Sequence, residues 1–135
     1  MYDIPYFKAS NHQEVIDFMQ AHPFVTICGV DTNGLPVATH IPVLIKIEYD
    51  KIIISGHVMR KQDHSIAFES NKNVLVIFSA PSAFVSASWY TTKNMGSTWN
   101  YQTVHAKGEL EIKDEAHLRN LLTELTMHFE KDAES

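Results

Sequence analysis

Short β-forming segments separated by tight turns make up most of this chain, and they constrain its fold more than any other feature. Asn33-Gly34 is a strong tight-turn signal and joins two of these segments into a hairpin. The predicted strands are Phe24–Val30, Leu35–Ile41, Val43–Glu48, Lys51–His57, Val74–Ala80, Ala83–Tyr90 and Tyr101–Ile112. Because hairpins predominate, we expect a mainly β fold with a largely antiparallel sheet. Seven strands in 135 residues favour a closed or split β-barrel with helices on its flanks.

Helical signals flank the strands. Ser10 with Gln13 three positions later has the form of a capping box and starts the first helix. Leucines at helical spacing follow Asp114, which is placed to cap the last helix. The predicted helices are about Asn11–Ala21, Asp63–Glu69 and Asp114–Lys131.

Length and composition indicate one folded domain over residues 1–135. The chain has 44% hydrophobic and 20% charged residues, which is ordinary for a folded soluble protein. Its single cysteine, Cys28, forms no internal disulfide and is expected to be a small buried hydrophobe. We find no signal peptide and no apolar run of the ~20 residues that a membrane helix needs. These features predict a cytoplasmic protein with no membrane partner.

The charge of the chain argues against a nucleic-acid surface. The formal net charge is −5, and arginine occurs only at Arg60 and Arg119. Affinity for nucleic acids rests mainly on neutralising phosphates with Lys and Arg. The last predicted helix is acidic on its exposed side, since its glutamates outnumber Arg119 and Lys131. We therefore predict no sequence-specific DNA affinity for this chain alone at physiological salt.

A first candidate site is the segment from Ser55 to Lys61, where a strand runs into a loop before a helix. Gly56 permits close backbone approach, and Arg60 and Lys61 place two cations before the first helical turn. A phosphate there would meet a guanidinium, an ammonium and free helical N–H groups. The alternative is that Arg60 and Lys61 are a solvated loop pair.

A second candidate is a pair of segments that mix aromatic and hydroxyl side chains. Small polar residues and aromatics together offer a planar heterocycle both stacking surfaces and directional hydrogen bonds. The alternative is an aromatic mini-core under a loop. The candidate residues are Ser86, Ser88, Trp89, Tyr90, Thr98, Trp99, Asn100 and Tyr101.

Three histidines on predicted strands could converge in a barrel. They are His40, His57 and His105, and their spacing matches no helical zinc motif. We therefore predict no metal site, and expect these side chains at a cofactor rim or a dimer seam. The sequence also shows no Gly-rich phosphate loop, no nucleophile elbow and no paired-carboxylate site.

Six blocks along the chain resemble, in order, the PaiB-type FMN-binding negative transcriptional regulators. The blocks are Pro36–Pro42, Gly56-His57, Val74–Phe78, Ser86–Tyr90, Thr98–Tyr101 and Val104–Gly108. The resemblance implies a split β-barrel of the pyridoxamine-phosphate-oxidase type, a homodimer, and FMN at the subunit interface. Arg60 and Lys61 match the place of the Arg-Lys pair that holds the flavin phosphate in that wider group. Family members continue further, so we expect this sequence to lack a C-terminal extension.

From this resemblance we predict that the chain is an FMN-binding protein with a regulatory or redox-sensing role. It places His57, together with the phosphate and aromatic candidates above, at the cofactor. The alternatives are a flavin-dependent oxidoreductase using a nicotinamide donor, a haem-handling split barrel, and an interaction module without cofactor. Whether the chain is an enzyme stays open, because no catalytic constellation is visible.

Overall fold

The computed structural model describes residues 11–89 and 96–134, and side chains as far as residue 131. The described helices are α1 (His12–Ala21), α2 (Asp63–Ser70) and α3 (Glu115–Glu134). The described strands are β1 (Phe24–Val30), β2 (Pro36–Pro42), β3 (Leu44–Glu48), β4 (Lys51–Ser55), β5 (Asn73–Ser79), β6 (Ala83–Val85), β7 (Thr98–Asn100) and β8 (Thr103–Glu109). A short 3₁₀ helix, Ala87–Trp89, follows β6.

The N-terminal cap of α1 differs from the prediction. The Oδ1 atom of Asn11 accepts the backbone N–H of Glu14 at 2.8 Å, so the cap is Asn11 and not Ser10. Ser10 itself lies outside the described residues. Asparagine and serine are about equally good at this position, which is why the sequence alone did not separate them.

The predicted strand Ala83–Tyr90 is wrong beyond Val85. The Oγ atom of Ser86 accepts the N–H of Ser88 at 3.2 Å, and the Ser86 carbonyl accepts the N–H of Trp89 at 3.1 Å. These local hydrogen bonds close a 3₁₀ helix in place of a strand ladder. Tyr90 lies outside the described residues.

The predicted strand Tyr101–Ile112 is shorter at both ends in the structure, and a separate strand lies before it. Thr98–Asn100, predicted as part of a loop, forms β7 and pairs with β6, whereas Thr103–Glu109 forms β8 and pairs with β5. The break comes after Asn100, because the chain changes partner strand there. The end of α3 differs too, since the helix continues to Glu134.

The main sheet has the order β2-β1-β5-β8, and all its neighbouring strands are antiparallel. β3 and β4 form one two-stranded sheet, and β6 and β7 form another. The β6–β7 hairpin is inserted in sequence between β5 and β8. The described part of the chain is therefore mainly antiparallel β with flanking helices. Its three sheets do not close into a barrel, so the split barrel stays a prediction.

One face of the main sheet carries the core. Val25 and Ile27 of β1 and Val76 and Phe78 of β5 are buried, and Phe78 is completely inaccessible to solvent. Helix α2 packs on the same face. A Cβ atom at position 29 would lie 2.7 Å from the Cε1 atom of the buried Phe68 ring. Gly29 is therefore needed for α2 to approach the sheet this closely.

The opposite face of β1 carries Thr26 and Cys28, because successive side chains of a strand point to opposite faces. Cys28 is only partly buried, so the prediction of a buried thiol is wrong in degree. Its alternation with Val25 and Ile27 explains the difference, since those positions point into the core.

Helix α3 is held to the body of the protein by two leucines and by ion pairs. Leu121 and Leu125 are buried, and the Nζ atom of Lys46 lies 2.8 Å from the Oε2 atom of Glu124. The hydrogen bond and negative charge of Glu124 hold the pKa of Lys46 above its ordinary value. None of the helices in the described residues is long and apolar enough to cross a bilayer.

Candidate functional site

The loop that carries Arg60 and Lys61 has a defined backbone. Lys61 adopts φ of 59°, a left-handed conformation that costs a non-glycine residue on the order of 1 kcal/mol. The next residue, Gln62, is extended, and its N–H donates to the Oγ atom of Ser65 at 2.9 Å. Arg60 and Lys61 are both exposed. The turn therefore presents two cations to solvent from a backbone that the start of α2 holds in place.

The N-terminus of α2 offers less to an anion than the sequence suggested. The N–H of Gln62 is taken by Ser65, and the N–H of His64 donates to the Oδ1 atom of Asp63 at 2.7 Å. The Asp63 carboxylate also adds a negative charge at this end of the helix. The expectation of free helical N–H groups is therefore wrong for these two groups. A phosphate here would depend chiefly on the side chains of Arg60 and Lys61.

Gly56 has a packing role in the structure. A Cβ atom there would lie 2.9 Å from the Cδ1 atom of Ile41 and 3.1 Å from the Cγ1 atom of Val43. The close approach that the glycine permits is therefore to the chain's own side chains. His57, the next residue, is exposed.

The aromatic candidates lie on and beside the β6–β7 hairpin. Trp99 is opposite Phe84, and the two ring centroids are 5.4 Å apart with planes tilted by 52°. Trp89 is 67% exposed, Trp99 60% and Tyr101 52%. A mini-core under a loop would bury these rings. In the described chain these rings are exposed instead, and we refer to Phe84, Trp89, Trp99 and Tyr101 together as the aromatic surface.

The hydroxyl candidates are engaged in local hydrogen bonds. The Oγ atoms of Ser86 and Ser88 lie 2.8 Å apart, and the N–H of Ala87 donates to the Oγ atom of Ser97 at 2.8 Å. Thr98 and Asn100 flank Trp99 on β7, so their side chains point to the other face of the hairpin. Tyr90, the remaining candidate, lies outside the described residues.

The structure does not bring the two groups of candidates together. Within residues 11–89 and 96–134, no hydrogen bond, ion pair or ring contact joins Arg60 or Lys61 to the aromatic surface. Two cavities lie elsewhere. One is a shallow, open depression on the surface of α3 at Leu122 and Met127, and the other, of about 50 Å³, lies between α3 and Ser55. Neither cavity is lined by a predicted cofactor residue, so we assign neither to a cofactor.

The three histidines predicted on strands do not form a metal-type cluster in the described chain, and the prediction is wrong for His57, which lies beyond the end of β4 at Ser55. The Nδ1 atom of His40 lies 3.0 Å from the Oγ1 atom of Thr26, and the strand register places His105 in the same cross-strand row. Three strand spacings separate His40 from His105, which is roughly 14 Å. Among the described residues, no group of three His, Cys, Asp or Glu side chains is arranged to hold a metal ion.

Two residues near the candidates were missed by the sequence reasoning. Glu115, the first residue of α3, places its Oε1 atom 3.7 Å from the Nη2 atom of Arg60. Phe84 pairs with Trp99 across the β6–β7 hairpin. No local signal could have indicated the contact of Glu115, since it depends on how α3 packs. The place of Phe84 two residues before Ser86 was a usable signal for the aromatic surface.

Comparison with known families gives this geometry its context. The whole chain, residues 1–135, matches the family described as "Putative FMN-binding domain". The chain therefore belongs to this FMN-binding family, and FMN is the cofactor that the family indicates. The expectation of FMN as cofactor is confirmed by this match, and that of PaiB-type kinship by this match together with the Bacillus subtilis relative described next.

Two curated relatives resemble the chain. "Protease synthase and sporulation protein PAI 2" of Bacillus subtilis is 36% identical over 131 residues, which is 97% of this chain and 62% of that protein. The protein YKL070W of Saccharomyces cerevisiae is 29% identical over 96 residues, 66% of this chain and 57% of that protein. The matched regions thus span about three fifths of each relative's length.

The residues present fit the two ends of FMN. The exposed guanidinium and ammonium of Arg60 and Lys61 have the chemistry to hold a phosphate dianion. The rings of Trp89 and Trp99 have faces on which a planar heterocycle can stack. When bound, the flavin supplies the redox chemistry, and the protein supplies binding and orientation.

Proposed function

We propose that this chain is a regulatory or redox-sensing FMN protein whose split barrel holds the flavin phosphate at Arg60 and Lys61. The observation that carries the proposal is the fixed turn before α2, which directs both cations to solvent.

The rest of the proposed site is the segment around the β6–β7 hairpin. Its aromatic rings would stack on the flavin ring, and its polar side chains would hydrogen bond to the ring edge and the ribityl chain. Support comes from the exposure of Trp89, Trp99 and Tyr101. The other proposed cofactor contacts are His57, Ser86, Ser88, Tyr90, Thr98 and Asn100.

Binding of FMN to the purified protein tests this proposal. We expect flavin absorption bands in the protein as isolated or after incubation with FMN, and saturable quenching of flavin fluorescence on titration. Riboflavin, which lacks the phosphate, should bind more weakly. A Soret band would favour the haem-handling alternative. Failure of FMN to bind at micromolar concentration would favour the cofactor-free interaction module and contradict the proposal.

We further propose a homodimer in which one copy supplies Arg60 and Lys61 and its partner supplies the aromatic surface. Two observations support this arrangement. The two groups are not in contact within one described chain, and four large aromatic side chains are exposed on and beside the β6–β7 hairpin. An isologous dimer would bury this surface and complete two equivalent sites.

Mixing two variants that each bind FMN poorly distinguishes sites shared between subunits from sites formed within one chain. Arg60→Ala and Trp99→Ala should each bind FMN poorly. If the sites are shared, a mixed dimer holds one intact site, so an equal mixture that exchanges subunits should recover roughly a quarter of the wild-type FMN capacity. Light scattering supplies the control, because wild-type protein should have the dimer mass at micromolar concentration. A monomer mass, or no recovery after complete exchange, would contradict the shared site.

The proposed regulation does not use a direct DNA contact. A dimer would double the formal net charge of −5 without creating a basic stripe. Regulation would then act through flavin chemistry or a protein partner, in the cytoplasm. The resemblance to PaiB-type regulators supports the regulatory role.

A further inference from the structure

The ion pair between Arg60 and Glu115 places a carboxylate at the proposed phosphate site. The Nη2–Oε1 distance is 3.7 Å, and both side chains are mostly exposed. A guanidinium has five N–H donors in one planar fork, and a carboxylate and a phosphate use that fork in the same way. At 3.7 Å the Arg60–Glu115 contact is an ion pair and is too long for a hydrogen bond, so Glu115 competes with a phosphate for the positive charge of the guanidinium.

We infer that Glu115 is an internal competitor that occupies Arg60 in the free protein, and that a bound phosphate displaces it. This inference rests on the proposed function, since it assigns the phosphate of FMN to Arg60. It identifies Glu115 as a residue that tunes affinity for the anion without binding it.

The Glu115 carboxylate remains favourably placed when it no longer contacts Arg60. Glu115 lies in the first turn of α3, where the helix dipole favours a negative side chain. The cap of the helix does not depend on Arg60, because the Oδ1 atom of Asp114 accepts the N–H of His117 at 2.9 Å. An exposed ion pair at this distance is also weak and screened by salt. A phosphate dianion with the neighbouring Lys61 can therefore displace Glu115 without unfolding α3.

Displacement has a consequence for α3. Among the described residues, two ion pairs tie this helix to the rest of the chain, Arg60–Glu115 at its start and Lys46–Glu124 near its middle. Phosphate binding would release the first and leave the second intact. The start of α3 would then report whether the cofactor is bound.

The test compares two matched variants of α3 in FMN titrations followed by flavin fluorescence. Glu115→Gln and Glu124→Gln each remove one negative charge and one ion pair between α3 and the body. Removing a carboxylate this near to the phosphate should tighten FMN binding roughly threefold to tenfold in the first variant at low salt. The gain should fall below about twofold at ~300 mM salt because of screening. Glu124→Gln should change the affinity by less than about twofold, as expected for a charge that does not touch Arg60.

Three further measurements decide between the inference and its alternatives. Glu115→Ala should repeat the gain, and riboflavin should bind all variants equally. Equal FMN affinities for Glu115→Gln and Glu124→Gln, or an equal gain with riboflavin, would overturn the inference while leaving the proposed function in place. If wild-type protein does not bind FMN, the proposed function fails and this inference fails with it.

Discussion

Replacing Phe78 with alanine should lower the free energy of unfolding by about 3–5 kcal/mol. Phe78 lies on β5, which pairs with both β1 and β8, and its side chain has no solvent exposure. Alanine would remove the ring and leave a cavity between the main sheet and the elements that cover it. Urea unfolding of the cofactor-free protein, followed by circular dichroism, gives the free-energy difference.

Phe84→Ala is the matched control, since it removes the same ring from a surface position. Phe84 is 46% exposed and contacts Trp99 on the hairpin. Because much of its surface is already in water, this variant should lose less than about 1.5 kcal/mol. Similar losses for the two variants would show that Phe78 is not a core residue as the structure places it.

Arg60→Ala should weaken FMN binding by about 1.5–3 kcal/mol, the scale of a charge-assisted hydrogen bond. That range corresponds to roughly a 10-fold to 150-fold higher Kd. The guanidinium lies at a turn that the start of α2 fixes, so no neighbouring side chain can substitute for its geometry. Fluorescence titration at fixed ionic strength measures the change.

The chain has only one other arginine, and it supplies the control. Arg119 is exposed on α3, so Arg119→Ala makes the same change in net charge at another place. Arg119 stands one helical turn beyond Glu115 and does not touch the proposed phosphate donors, so this variant should weaken FMN binding much less than Arg60→Ala, because exposed charges without direct contact are screened. Riboflavin should bind wild type and Arg60→Ala equally. Equal FMN curves for wild type and Arg60→Ala would remove Arg60 from the site.

The parts of the fold that depend on local sequence could be predicted. The strand Phe24–Val30 and the start of α2 at Asp63 follow from alternation and helix-start signals, and both are confirmed. The strand Thr98–Asn100, which was predicted as part of a loop, could not be recognised, because it depends on pairing with Ala83–Val85. A run of β-forming residues does not specify its partner.

The candidate site likewise has features that local sequence predicts and features that depend on packing. Arg60 and Lys61 follow from adjacent residues and from the family resemblance. The contact of Arg60 with Glu115 and the left-handed backbone of Lys61 depend on the packing of α2 and α3, so no local pattern indicates them. The engagement of the N–H groups at the start of α2 could have been predicted in part. Asp63 and Ser65 are good capping residues, and the sequence already placed them beside the proposed phosphate position.

Strand β2 has a consequence for how copies of this protein meet. It is an edge of the main sheet, and proline stands at both of its ends, Pro36 and Pro42. Proline has no N–H to donate, so a strand arriving at this edge from another molecule would find its ladder interrupted at both ends. Natural proteins protect exposed edges against fibre-like growth in this way. Another copy of the chain is thereby hindered from extending the main sheet at its β2 edge.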